Sequence, residues 1–96
     1  MLILVTYDVN VSSPEGAKRL RRVAKECQNY GQRVQNSVFE CVVNEAQFVV
    51  LKSKLKKLID NNLDSIRFYR LGKNWESHLE SFGKITSFNP MNELII

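Results

Sequence analysis

The sequence predicts an α/β domain with elements in the order strand, helix, strand, strand, helix, strand, and three observations carry that prediction. The opening MLILVTYDV is apolar on both of its alternating faces until its end, which marks a central strand covered on both sides. Two later stretches repeat apolar residues at threes and fours, the spacing of a one-sided helix. Between and after them lie QRVQNSVFECVV and SIRFYRLG, both β-rich.

Each element has its own local justification. In the first strand, Ile3, Val5, Tyr7 and Val9 share one face and Leu2, Leu4, Thr6 and Asp8 the other. NVSSPEG breaks it, and Ser13-Pro14-Glu15 starts a helix with a capping hydroxyl, proline in the first turn and an acid at the positive dipole end. That helix buries Ala17, Leu20, Val23, Ala24 and Cys27, and Gly31 is its expected stop. Gln35-Asn36-Ser37 forms a turn or kink between a short strand and a longer one. Asn44, with Gln47 three residues on, caps the second helix. Its buried stripe is Phe48, Leu51, Leu55 and Leu58, and Asn61-Asn62 ends it.

This order suggests a ferredoxin-like βαββαβ sandwich with both helices on one face of the sheet. The other face is then open, although the first strand is apolar on both sides. A second copy of the chain, forming a two-fold dimer, is the simplest cover. Residues 73–96 carry Trp75, Leu79, Phe82, Ile85, Phe88 and a terminal Leu94-Ile95-Ile96. SHLESF is therefore expected to add a fifth strand, and the last residues to dock on the sheet or on the partner subunit. At 96 residues, positions 1–96 make a single domain that buries roughly two-thirds of its extended-chain surface.

Fourteen Lys and Arg against ten Asp and Glu leave a net charge of +4, which permits a nucleic-acid partner without requiring one. Cys27 and Cys41 lack CxxC spacing and read as free, buried thiols in a reducing compartment. The apolar start is too short for a signal-peptide core, and nothing approaches membrane-spanning length, so the chain is expected to be cytoplasmic. His78 is the only histidine, with no arrangement around it that suits nucleophilic catalysis. The four glycines are isolated, which rules out a Gly-rich phosphate loop.

Asp8 is the sharpest chemical candidate. It either caps the turn that follows or serves as a functional carboxylate at the end of a central strand. A dimer axis near this strand end would bring two Asp8 side chains together. Such a pair must share a proton or hold a cation, and an oxygen-only site suits Mg²⁺ or Mn²⁺. Lys18, Arg19, Arg21, Arg22 and Lys25 crowd within eight residues and are either a solvated helix face or a phosphate-binding patch. Arg33, followed at even spacing by Gln35, Ser37 and Phe39, either points at a phosphate or pairs across strands with an acid such as Glu40. Lys52, Lys54, Lys56 and Lys57 read as a solvated face, and Arg67 and Arg70 as partners for acids.

MLILVTYDV, the arginine-bearing first helix, GQRVQNSVFE and FYRLG together resemble the small CRISPR-associated "Cas-two" proteins, over essentially the whole chain. The resemblance implies a ferredoxin-like homodimer that acts in capturing new spacers from invading DNA. It would bridge two dimers of the "Cas-one" integrase along the captured duplex. It also implies a metal-dependent endonuclease on RNA or double-stranded DNA. The family's strand-end aspartate falls on Asp8 and its adjacent tyrosine on Tyr7. The β-segment arginine, serine and phenylalanine fall on Arg33, Ser37 and Phe39, and the helix arginines on Arg19 and Arg21. The mechanism expected from this has Mg²⁺ on Asp8, phosphates on Arg33 and the helix arginines, Tyr7 and Phe39 shaping the site, and Phe39 available to stack on a base if the substrate is single-stranded.

Overall fold

The computed structural model describes residues 1–72 together with Asn74, Ser77 and Glu80. Its elements are β1 (Leu2–Asp8), α1 (Pro14–Gln28), β2 (Gly31–Gln35), β3 (Val38–Val42), α2 (Glu45–Leu58) and β4 (Ser65–Gly72). The four strands form one sheet in the order β2-β3-β1-β4, with β1 antiparallel to both of its neighbours and β2 antiparallel to β3. This is the predicted ferredoxin-like arrangement. The expected fifth strand over 77–82 and the docking of 83–96 lie outside the described residues, as does His78. No helix among the described residues is long and apolar enough to cross a membrane.

The local signals act as read. Ser13 caps α1, its hydroxyl accepting the Gly16 amide at 3.2 Å. Asn44 and Gln47 form a reciprocal capping box at α2: Asn44 Oδ1 accepts the Gln47 amide at 2.8 Å, and Gln47 Oε1 accepts the Asn44 amide at 2.9 Å. Cross-strand register then assigns the two faces of the sheet. Ile3, Val5 and Tyr7 share the helix-covered face with Phe39, Cys41, Ile66 and Phe68, and pack with Val23, Cys27, Phe48, Leu51 and Leu55 in one core. On the opposite face lie Leu4, Thr6, Val38, Glu40 and Val42, all half-buried, with Arg67 and Tyr69 exposed.

One glycine acts differently from the sequence reading. Gly31 does not end α1; the helix stops at Gln28, capped by Asn29 in right-handed helical geometry. Gly31 instead opens β2, where a Cβ would stand 1.9 Å from the Glu40 carbonyl oxygen. Similarly, α2 ends at Leu58, and Asn61-Asn62 belong to the turn beyond it. Gly16, in the first turn of α1, backs onto the β1–α1 loop so closely that a Cβ would lie 1.9 Å from the Asn10 carbonyl oxygen. The obstacle is backbone, which cannot swing aside as a flexible side chain would. Gly16→Ala is therefore expected to destabilise the fold by about 1–3 kcal/mol, although alanine is the better helix former. Chemical denaturation measures this, and unchanged or raised stability would show that the loop yields.

Candidate functional site

Asp8 is the last residue of β1 and pairs with Ser65, the first of β4. It is exposed and shares the sheet face turned away from the helices with Thr6 and Leu4. No ion pair among the described residues involves it. Tyr7, one residue earlier, points to the opposite face because side chains alternate along a strand.

On the helix-covered side, Tyr7 joins Phe39 and Arg33. The Tyr7 and Phe39 rings stack with centroids 6.3 Å apart and planes inclined by 23°. The Arg33 guanidinium carbon stands 5.3 Å from the Phe39 ring centroid, a cation–π contact that steers an otherwise exposed arginine. Burial pushes the Tyr7 phenol above its ordinary value, helped by the nearby Cys27 thiol and opposed by Arg33. The Tyr7 amide donates to the Ser37 carbonyl at 3.0 Å, tying the β2–β3 turn to β1. Ser37 itself holds a left-handed φ of 66°. Phe39 is fully buried, so it offers no ring face to a nucleobase. The base-stacking role implied for it is corrected to a packing role beneath Arg33. The predicted residues thus collect at one end of the sheet but divide over its two faces.

The helix cations also divide. Lys18, Arg21, Arg22 and Lys25, at the i, i+3, i+4, i+7 spacing of one helix stripe, are exposed and line an open surface groove of about 360 Å³. Arg19 faces elsewhere: its Nε donates to Asp64 Oδ2 at 2.7 Å and its Nη2 to Asp64 Oδ1 at 3.4 Å and to the Asn10 carbonyl at 3.5 Å. The Asp64 side chain is fully buried. It accepts two further bonds, from the Asn10 amide at 3.0 Å and the Asp60 amide at 2.8 Å. Burial alone would raise its carboxyl, but the Arg19 hydrogen bond and the two amides outweigh burial and hold it below its ordinary 3.8. Sequence reasoning passed over Asp64. Its only trace is an acid directly before a strand, and its partner lies 45 positions earlier.

Three further cations make surface contacts. Lys54 pairs with Glu26 at 3.5 Å, Lys52 sits 4.9 Å over the Phe48 ring, and Arg70 meets Glu45. Cys27 and Cys41 are free and buried, and burial pushes both thiols up to about 12, which leaves no thiolate nucleophile. Among the described residues no three His, Cys, Asp or Glu side chains converge as a metal site. Asp8 is suited to be one hard oxygen ligand, but the described residues of a single copy do not supply a ligand set.

Fold and site together define a small ferredoxin-like domain with a cationic helix stripe and an exposed carboxylate at its central strand end. The chain belongs to the CRISPR associated protein Cas2 family, whose description matches residues 1–78. It is 63% identical over 83 residues to the CRISPR-associated endoribonuclease Cas2 of Chlorobaculum tepidum, covering 86% of each chain. It is 56% identical to the CRISPR-associated endonuclease Cas2 of Halalkalibacterium halodurans, covering 99% of each. Among solved structures, Streptococcus pyogenes Cas2 at pH 6.5 superposes with a TM-score of 0.76 at 61% identity, over 86% of this chain and 100% of that one.

The geometry separates Arg19 from its neighbours in function. Arg19→Ala is expected to lower stability more than any change in the outer stripe, by leaving Asp64 without its cation. Arg21→Ala with Arg22→Ala should leave stability nearly unchanged, because both side chains are exposed. Chemical denaturation of the variants distinguishes the two. Because the folded-state value of Asp64 is depressed, its contribution is present above its ordinary 3.8 and is lost as pH falls through the lower folded value. Asp64→Asn should therefore flatten the acid limb of stability below about pH 4, measured by thermal denaturation across pH.

Proposed function

We propose that this protein is a divalent-metal-dependent endonuclease that hydrolyses phosphodiester bonds of RNA or double-stranded DNA and acts in CRISPR spacer acquisition in the cytoplasm. The observation that carries this reading is the exposed Asp8 carboxylate, without an ion-pair partner among the described residues, at the sheet end shared with Arg33. The relatives named endoribonuclease and endonuclease support the same chemistry. The half-buried apolar residues of the open face, Leu4, Val38 and Val42, favour a homodimer in which a second copy covers them.

In such a dimer the two Asp8 carboxylates would hold one Mg²⁺, or Mn²⁺, near the two-fold axis. The cation would supply an activated water and polarise the scissile phosphate. The chain's own residues do the rest. Lys18, Arg21, Arg22 and Lys25 bind the sugar–phosphate backbone through charge, with little sequence preference. Arg33, braced on Phe39, reaches a flanking phosphate and stabilises the negative charge that grows on it. Tyr7 shapes the strand end from below. The nucleophile is external water, so no 2′-OH is required and DNA serves as well as RNA.

A second reading is favoured by one observation: among the described residues no group of three possible metal ligands forms, whereas four exposed cations line one groove. On that reading the dimer is a non-catalytic scaffold that holds captured DNA and bridges the integrase dimers of the adaptation complex. Asp8→Ala separates the two. The nuclease reading expects loss of Mg²⁺-dependent cleavage of RNA and duplex DNA, with the dimer and its nucleic-acid affinity retained. Cleavage that persists in rigorously purified Asp8→Ala protein would sink it. Intact spacer acquisition with Asp8→Ala, but not with Arg21→Glu and Arg22→Glu, would establish the scaffold.

A further inference from the structure

We propose that Asp64 is a positioning residue for the strand-end site: its buried carboxylate clamps the two loops that flank Asp8 and so fixes where the Asp8 side chain stands. This rests on reading Asp8 as the acid of the site. Asp8 is held laterally by its pairing with Ser65, and Ser65 is the residue after Asp64. On its C-terminal side the chain reaches Asn10 in two residues, and the Asn10 amide donates to Asp64 Oδ1 at 3.0 Å. Both restraints on Asp8 therefore run to one side chain. The carboxylate is in turn immobilised by the Asp60 amide at 2.8 Å and by the forked contact from Arg19, which anchors it to α1.

The arrangement exceeds what loop closure alone needs. Arg19 also donates to the Asn10 carbonyl at 3.5 Å, and Gly16 abuts the same carbonyl, so Asn10 is gripped at its amide and at its oxygen. Arg19 and Asp64 are spent on each other, which keeps the guanidinium away from phosphates and leaves nucleic-acid contact to the outer stripe. A loosened clamp should accordingly disturb the acid at the strand end and spare substrate binding.

The test uses Asp64→Asn, which keeps the size of the side chain but turns one acceptor into a donor facing Arg19 or an amide. It also uses Arg19→Lys, which keeps the charge and loses the fork. All measurements are made at a temperature where circular dichroism shows each variant fully folded. Amide hydrogen exchange at residues 7–10 and 64–66 is expected to quicken about tenfold or more, while the Leu4–Tyr69 rung stays as in wild type. In Mg²⁺-dependent cleavage, kcat is expected to fall about 10- to 100-fold with KM unchanged, and Mn²⁺ affinity followed by electron paramagnetic resonance to weaken. Arg19→Lys should fall between wild type and Asp64→Asn. Wild-type kcat and Mn²⁺ affinity in Asp64→Asn, or exchange that quickens equally across the sheet, overturns the proposal and leaves Asp64 a purely structural ion. Wild-type cleavage by Asp8→Ala overturns the acid reading alone, because exchange at the Asp8–Ser65 rung then still supports or overturns the clamp.

Discussion

The Asp64 carboxylate is the interaction on which this end of the molecule depends. A buried carboxylate is costly unless charge and hydrogen bonds replace the water it gives up. Here a guanidinium and two backbone amides do so, and they come from α1, the β1–α1 loop and the turn after α2. Two stretches far apart in sequence, residues 10–19 and 60–64, thus converge on one pair of oxygens. The alternative, water bridging each amide separately, would satisfy the same donors without coupling the loops. The direct arrangement makes Asn10, Asp60 and Arg19 move together or not at all.

Strand alternation imposes the second constraint. Tyr7 and Asp8 are neighbours in the chain but belong to opposite faces of the sheet, and Arg33 follows Tyr7 through Phe39. A partner lying on the open face can approach Asp8 but not Arg33 or the α1 stripe. A nucleic acid held by the stripe can reach Asp8 only around the end of the sheet, past the β1–α1 loop.

What was legible in the sequence follows from the range of each interaction. Ser13 with Gly16 and Asn44 with Gln47 are contacts three residues apart, so spacing alone reveals them. The strands and both helix stripes are periodicities, equally local. Gly31 and Gly16 were misread or missed because what excludes a side chain there is a backbone oxygen from another segment, Glu40 in one case and Asn10 in the other. Arg19 looked like its neighbours Lys18 and Arg21 because its partner is 45 residues away. The burial of Phe39 under Tyr7 and Arg33 could not be read from QRVQNSVFE, where it alternates like any half-exposed strand residue. Candidate residues and the opposite faces of Tyr7 and Asp8 could be read from the sequence, but the burial of Phe39 and the separation of Arg19 from the other helix cations could not.

Glu40 carries the same logic to the open face. It stands between Leu4 on β1 and Gln32 on β2, half-buried, and burial pushes its carboxyl above the ordinary value. A cover made only of hydrocarbon would desolvate it further and penalise its charged form, so apolar complementarity by itself works against closing this face. A cover that brings a donor relieves the penalty. The open face of each copy carries an exposed arginine, Arg67, paired in register with Thr6 two residues along β1 from Leu4. In a two-fold arrangement every group on this face meets the same face of its twin, so each copy presents an acceptor in need of a donor and an arginine that, although held by Tyr69, carries further N–H donors. The chemistry of the open face thus fits a second copy of this chain better than a plain apolar surface.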